Sequence, residues 1–396
     1  MLSNKTALVD CVISIYNKIK LHRRTRDEKI HEQRELGKKI AKCKSQQLID
    51  EASLLHIERE NLELTIEKLE HIFSINVRQI PNLTHPHVKD TPVSMEYSNI
   101  PCHELSAKDH VQIGEALNIL DFTSAASITG NKFYYLKNEA VLLENTLITF
   151  ALNLMHSHGF QLFYTPDITL IDVVDDMGFS PRSENSQIYQ IKDTDFCLIG
   201  TSEITLGALH RNQILNKDRL PLRYSGISHC FRKEAGAPGK ESRGLYRVHQ
   251  FTKVEMFVFC LPNQSEPIFN EFLDIEKHIY QSLGLPWRVV DIPAYDLGNP
   301  AYQKLDIEVW MPGRREYGEV TSASNCTDYQ SRRLKTRYQG KDPQDKGLVY
   351  TLNGTAIAIP RTILAILENF QQKDGSVLIP PVLIPYTGFK VIKTQV

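Results

Sequence analysis

Paired cysteines are missing from this chain. Its seven (Cys11, Cys43, Cys102, Cys197, Cys230, Cys260 and Cys326) are odd in number, scattered, and form no C-x-x-C. That excludes a disulfide framework and a cysteine zinc knuckle and points to a reducing compartment; no zinc is expected. Each thiol reads as a small buried hydrophobe. Long hydrophobic runs are missing too. No stretch approaches the roughly 20 apolar residues of a membrane-spanning helix, so no membrane partner is expected. Excess charge is also lacking: the net charge is -1 over 396 residues, of which 41% are apolar and 23% charged, an ordinary globular composition. This length has room for about two domains.

From residue 5 to 78 proline is absent and glycine occurs once, as Gly37. Nothing there breaks a helix. Leu48, Leu55, Leu62 and Leu69 recur every seven residues, joined by Ile66 and Phe73, which predicts one arm of an antiparallel helical hairpin. Val12, Ile15, Ile19, Ile30, Leu36 and Ile40 supply a less regular partner, with the break at Lys44-Ser45-Gln46-Gln47. Charge is unevenly spread: bases dominate from Lys18 to Lys44 and acids from Asp50 to Glu70. Pro81 and Pro86 end the helical character. We therefore expect a hairpin at 1–80, a linker at 81–108 and a second domain at 109–396.

The second domain mixes element types. Helices are predicted near Leu105–Leu120, Ala140–His158, Glu266–Leu283 and from Pro360 through Asn369. Strands are predicted at 219–232, 245–260, 286–292, 304–311 and 316–322. The fold class is α+β, an antiparallel sheet flanked by helices. Within the 245–260 strand, Tyr246, Val248, Val254, Met256 and Val258 fall on one face and Arg247, His249, Phe251, Lys253 and Glu255 on the other. The polar face reads either as a solvated surface or as the wall of a pocket for a charged ligand, with the preceding glycine/proline-rich turn folding over it.

Five stretches decide between those readings. FRKEAGAPGKESRGLYRVHQFTKVE, residues 231–255, resembles the second signature motif of the class II aminoacyl-tRNA synthetases and, in length and wording, that of the seryl-tRNA synthetases. His110–Ile168 resembles the family's first motif, and GTSEITLGALHR from Gly200 its T-x-E loop. EYGEVTSASNCTDYQSRR from Glu316 and LNGTAIAIPRTILAILENF from Leu352 resemble its E-x-x-S segment and third motif. The resemblance runs through nearly the whole chain.

It implies a serine–tRNA ligase that uses ATP and Mg2+ to make seryl-adenylate from L-serine and then charges tRNA(Ser), working as a homodimer with Pro166 at the interface. The implied catalytic residues are Arg232, Glu255 and Arg361. ATP would be bound by Arg232, Glu234, Val248, Phe251, Glu319, Val320, Thr321, Ser322 and Arg361, with Mg2+ on Glu319 and Ser322. Serine would be bound by Thr201, Glu203, Arg232, Glu255, Asn353 and Thr355. Thr355 has a plainer reading as a β-branched space-filler. Activation needs no general base, because the attacking carboxylate is already ionised; positioning and charge neutralisation remain, tasks suited to arginines and a divalent metal.

The basic hairpin would grip tRNA through Arg23, Arg24, Arg26, Lys38 and Lys39, reading phosphate and shape rather than sequence. A solvated coiled coil is its plain alternative. Its start looks shorter than the family's. Within the family, SASNCTDYQSRR, A-x-A-I-P-R and DGSVLIPP resemble the animal mitochondrial type most. Residues 1–26 are rich in bases with one acid, Asp10, as transit peptides are; the expected location is the mitochondrial matrix, with the cytosol as the alternative. Rival functions are an inactive RNA-binding paralogue, which would have lost active-site groups, and an amino-acid ligase acting on a carrier protein, which would lack the arm.

Overall fold

The computed structural model describes residues 2–43, 45–99, 107–181, 186–234 and 244–394. Lys44, Pro101, Cys102, the start of the helix expected from Leu105 and the glycine/proline turn before Gly244 lie outside the described residues. The chain divides into two compact units, Met1–Pro81 and Asn82–Val396.

The first unit is two helices, α1 (Leu2–Lys42) and α2 (Gln46–Val77). They run antiparallel: the Tyr16 and Phe73 rings lie 5.9 Å apart, Arg23 pairs with Glu70, and Lys29 pairs with Glu58. The seam is the expected one. Val12, Ile19, Leu36 and Ile66 are buried and Leu48, Leu55, Leu62 and Leu69 half-buried, so the heptad leucines do face α1. Helices this long and polar hold together through that apolar stripe more than through local propensity.

The second unit is built on an eight-stranded sheet. Its strands in chain order are β1 (Val93–Tyr97), β2 (Gln161–Tyr164), β3 (Leu222–Phe231), β4 (Gln250–Cys260), β5 (Trp287–Asp291), β6 (Gln303–Met311), β7 (Glu316–Thr327) and β8 (Tyr350–Ala358). They lie side by side as β1-β5-β6-β7-β8-β4-β3-β2. Every pair is antiparallel except the edge pair β2/β3, which is parallel.

Three expectations change. The segment expected as a linker at 81–108 contributes β1, a short, mostly exposed edge strand between Pro92 and Pro101 whose five residues are too few to show a period. The strand expected from residue 245 starts at Gln250, because residues 244–249 form a turn. The helix expected at Leu105–Leu120 is, among the described residues, only α3 (His110–Ala116), which a capping box between Asp109 and Gln112 starts.

Helices α4 (Glu139–Ser157), α6 (Ser265–Ser282) and α8 (Ile359–Asn369) contribute Leu143, Leu147, Phe272, Ile279 and Ile363 to the main core. Val254, Met256 and Val258 of β4 belong to the same cluster. The odd-numbered face of β4 is not polar throughout: Phe257 and Phe259 enter a second core with Val174, Met177, Ile204 and Leu206. Only Phe251, Lys253 and Glu255 are left for a site, in a strand buried on both sides.

Candidate active site

Where β3 ends and β4 begins, the chain opens a pocket lined by Arg232, Glu234, Val248, Phe251, Glu319, Val320, Thr321 and Arg361. Pro360 and Arg361 lie in the first turn of α8. A cation there opposes the helix dipole, and the surroundings offset this. Arg361 Nη1 donates to the Glu319 carbonyl at 2.9 Å and lies 3.3 Å from its carboxylate. Its Nε donates to Tyr246 O at 3.2 Å, and the guanidinium lies over the Tyr246 ring. Arg232 Nε donates to Gly200 O at 3.2 Å, and its guanidinium stands 5.2 Å from the centre of the Phe251 ring. Glu234 has a left-handed φ of 46°, with Lys132 Nζ donating to its carbonyl at 3.2 Å. Such strain, on the order of 1 kcal/mol or more, persists only where the surroundings impose it.

A second cleft of roughly 350 Å³ adjoins the first and is lined by Thr201, Glu203, Glu255, Ser322, Asn353 and Thr355, among others. Arg232, Lys253, Glu319 and Thr355 line both cavities. Lys253, which the sequence reading left out of the site, is its buried cation. It pairs with Glu255 and donates to Thr201 Oγ1 at 2.9 Å and Thr355 Oγ1 at 3.5 Å. The signal was present: Phe251, Lys253 and Glu255 share one face at a spacing of two. Thr355 also lies 3.5 Å from Glu255 Oε2, so its hydroxyl faces polar groups rather than merely filling space.

Glu203 begins a short helix, α5 (Glu203–Gly207). Gln330 Nε2 and Asn353 Nδ2 donate to its Oε1 at 2.7 and 3.0 Å. Burial, with the neighbouring Glu255, pushes the Glu203 carboxyl up to about 7, against the opposing pull of Gln330, Lys253 and Arg232. Glu255 itself is raised by burial, with Lys253 opposing.

The E-x-x-S spacing conceals a problem. Residues three apart on a regular strand point to opposite faces. The structure resolves it with a bulge at Val320: Glu308 pairs with Glu319, Ile307 with Thr321, and Val320 is the extra residue. Glu319 and Ser322 therefore line the same cleft, while Thr321 donates through the sheet to Glu276 of α6 at 3.3 Å. Ser322 stands across the ladder from Asp306, whose buried Oδ1 has no hydrogen-bond partner. Burial would raise the Glu319 carboxyl, but Arg361, Lys304 and Arg232 outweigh it and hold it below its ordinary value. A charged carboxylate and a hydroxyl lining one cleft are hard donors that fit a magnesium ion completed by phosphate oxygens.

The hairpin residues belong to the other unit. Arg23, Arg24, Arg26 and Lys38 are each in ion pairs with acids of their own hairpin, at 2.6–3.0 Å. Lys39 is exposed with no ion pair among the described residues. Pro166 is exposed between β2 and the strand Ile168–Leu170.

Fold and site together define a class II tRNA synthetase core. Residues 187–370 match the family model described as tRNA synthetase class II core domain (G, H, P, S and T). The chain is 46% identical over 365 residues to a serine–tRNA ligase of Treponema denticola, covering 89% of this chain and 86% of the relative. It is 51% identical over 357 residues to that of Borrelia recurrentis, covering 88% and 84%. The seryl-tRNA synthetase of Pyrococcus horikoshii, solved with ATP, superimposes with a TM-score of 0.92 at 36% identity over 99% of this chain and 95% of the other. The chain belongs to the serine–tRNA ligases. These curated relatives are bacterial and lend no support to the animal mitochondrial subtype.

Proposed function

We propose that the chain activates L-serine with ATP, releasing pyrophosphate, and transfers serine from the adenylate to the 3′ end of tRNA(Ser). The observation that carries this is the meeting of two pockets at Arg232. A planar fork there serves the α-phosphate on one side and the amino-acid carboxylate on the other, holding nucleophile and electrophile in line. On the nucleotide side, Phe251 offers a ring for the adenine to stack on, Glu234 an acceptor for its amino edge, and Arg361 a charge for the γ-phosphate. Glu319 and Ser322 would hold Mg2+, which neutralises phosphate charge when bound.

On the amino-acid side the acids differ in one respect. Glu255 is paired with Lys253 and Glu319 with Arg361, whereas the hydrogen bonds to Glu203 come from neutral amides. Glu203 is the carboxylate that suits an α-ammonium. Thr201, Thr355 and Glu255 then surround the serine hydroxyl. Alanine has no hydroxyl to join the polar cluster that Lys253 holds together, so it forgoes the bonds serine would make there, which discriminates between the two. The reading of an inactive paralogue loses ground because Arg232, Glu234, Glu255, Glu319 and Arg361 are all present and assembled. Serine-dependent ATP–pyrophosphate exchange beside alanine and threonine controls tests the function: exchange with serine alone supports it, and none with any of the three overturns it.

The working form we propose is a homodimer. Tyr164, Ile168, Leu170 and Phe196 are large apolar side chains exposed around Pro166, and such a patch suits a subunit interface. A monomer in analytical ultracentrifugation would overturn this. The mitochondrial matrix remains our proposed location, on the base-rich, acid-poor composition of residues 1–26; since these residues also build helix α1 of the hairpin, the address would have to be read without their removal, and fractionation finding the protein in the cytosol would overturn it.

A further inference from the structure

Glu203 receives both of its hydrogen bonds on one oxygen. Gln330 and Asn353 donate to Oε1, and among the described residues no bond reaches Oε2, the oxygen left for the cleft. Neither donor is free to turn. Gln330 sits on the short helix α7 (Tyr329–Leu334) and is fully buried. Its Oε1 accepts from Thr351 Oγ1 at 2.8 Å. Thr351, on β8, is itself fully buried. Flipping the Gln330 amide would set its oxygen against the Glu203 carboxylate and against the Met177 carbonyl, to which Nε2 also donates at 3.5 Å, losing both bonds. On Asn353 the same amide nitrogen that meets Glu203 also reaches Cys326 Sγ at 3.4 Å. Gln330 lines neither cavity.

We infer that Gln330, its amide nitrogen oriented by the Met177 carbonyl and its oxygen held by Thr351, is a positioning residue for amino-acid selection: it locks Glu203 Oε1 so that Oε2 is presented to the α-ammonium of the substrate. The inference rests on the serine-activating reading of the cleft. It assigns a role to the glutamine of NCTDYQ, which has no polar access to the cleft and acts through Glu203 alone. Glu203 stands among Glu255, Lys253, Arg232 and the Cys326 thiol. Losing the Gln330 donor removes one of the groups that oppose its protonation.

The test is serine-dependent ATP–pyrophosphate exchange as a function of pH, on the full chain. In Gln330→Met, which keeps the volume and removes the donor, KM for serine should rise about 10- to 100-fold, as for lost outer partners of a site. KM for ATP and kcat should stay within about 3-fold, and the acid limb of kcat/KM for serine should move to higher pH. Thr351→Val should shift the same parameters in the same direction by less, and Thr351→Ser should recover most of that loss. A Gln330→Met protein with the wild-type melting temperature and unchanged serine KM and pH profile would overturn the inference. So would equal losses toward serine and ATP, which mark a purely structural residue. Absence of serine-dependent exchange in the wild type would overturn the functional reading, and this inference with it. Should Gln330→Met fail to fold, the Thr351→Val and Thr351→Ser pair decides by the same criteria.

Discussion

Charge is used in opposite ways by the two units of this chain. In the hairpin, charged side chains are exposed and paired in water: Arg23 with Glu70 at 2.7 Å, both near half exposure, and Arg24 with Glu28 one turn on. Such pairs are worth roughly 0–1 kcal/mol and are screened by salt. In the catalytic unit Glu203, Lys253, Glu255 and Glu276 are buried. There removing one partner of the Lys253–Glu255 pair leaves the other stranded at a cost of about 3–5 kcal/mol, while Glu203 and Glu276, raised by burial, are held by neutral donors. Similar residue types therefore serve a replaceable surface in one unit and an interdependent network in the other.

The sharpest break of that contrast is Arg232→Ala. It should lower serine-dependent pyrophosphate exchange by about 10³-fold, as for the loss of a preorganised electrostatic contact; retained exchange would remove Arg232 from the site. Deleting residues 1–81 should abolish tRNA charging yet leave exchange within about 3-fold, because the unit from Asn82 has its own core. Equal losses in both assays would show that the hairpin serves the catalytic fold rather than tRNA.

The third prediction concerns pH. With the Glu203 carboxyl raised to about 7, serine binding should weaken as pH falls through 7, raising KM by about tenfold per unit once protonation dominates. The effect on stability has the other sign. Between its ordinary value near 4.5 and about 7 the folded state holds a proton the unfolded state has lost, so this group favours folding at low pH and loses that contribution as pH rises through the window. A serine KM flat from pH 6 to 8 would contradict the role given to Glu203. The smallest effect belongs to the arm: Arg23→Ala should change stability by at most about 1 kcal/mol in urea melts. It should weaken tRNA binding less than Lys39→Ala, because Arg23 already has Glu70. The reverse order in a binding titration would mean that tRNA displaces the pair.

Much of this was legible in advance where chemistry is local. The heptad leucines, the loss of proline and glycine before Pro81, and the alternation through Val254, Met256 and Val258 each follow from a period along the chain, and each element formed. The motif residues Arg232, Glu234, Phe251, Glu319 and Arg361 line one pocket, and Thr201, Glu203, Asn353 and Thr355 the adjoining one. Lys253 was readable from its face and was missed. Gln330 was not readable: nothing about a glutamine next to Tyr329 indicates that its amide is turned toward a glutamate 127 positions earlier.

By itself the sequence determined the periodicities, the helix ends and the residue types that an acyl-adenylate chemistry needs, because these depend on neighbours a few positions away. Tertiary structure decided which of those residues meet. A single extra residue at Val320 reverses the parity of β7, bringing Glu319 and Ser322 into one cleft and turning Thr321 to Glu276. Burial decided the rest. It raises Glu203 to about 7 and Glu276 well above its ordinary range, since the cost of a charge depends on how much water and which partners surround it, and only the assembled sheet supplies those.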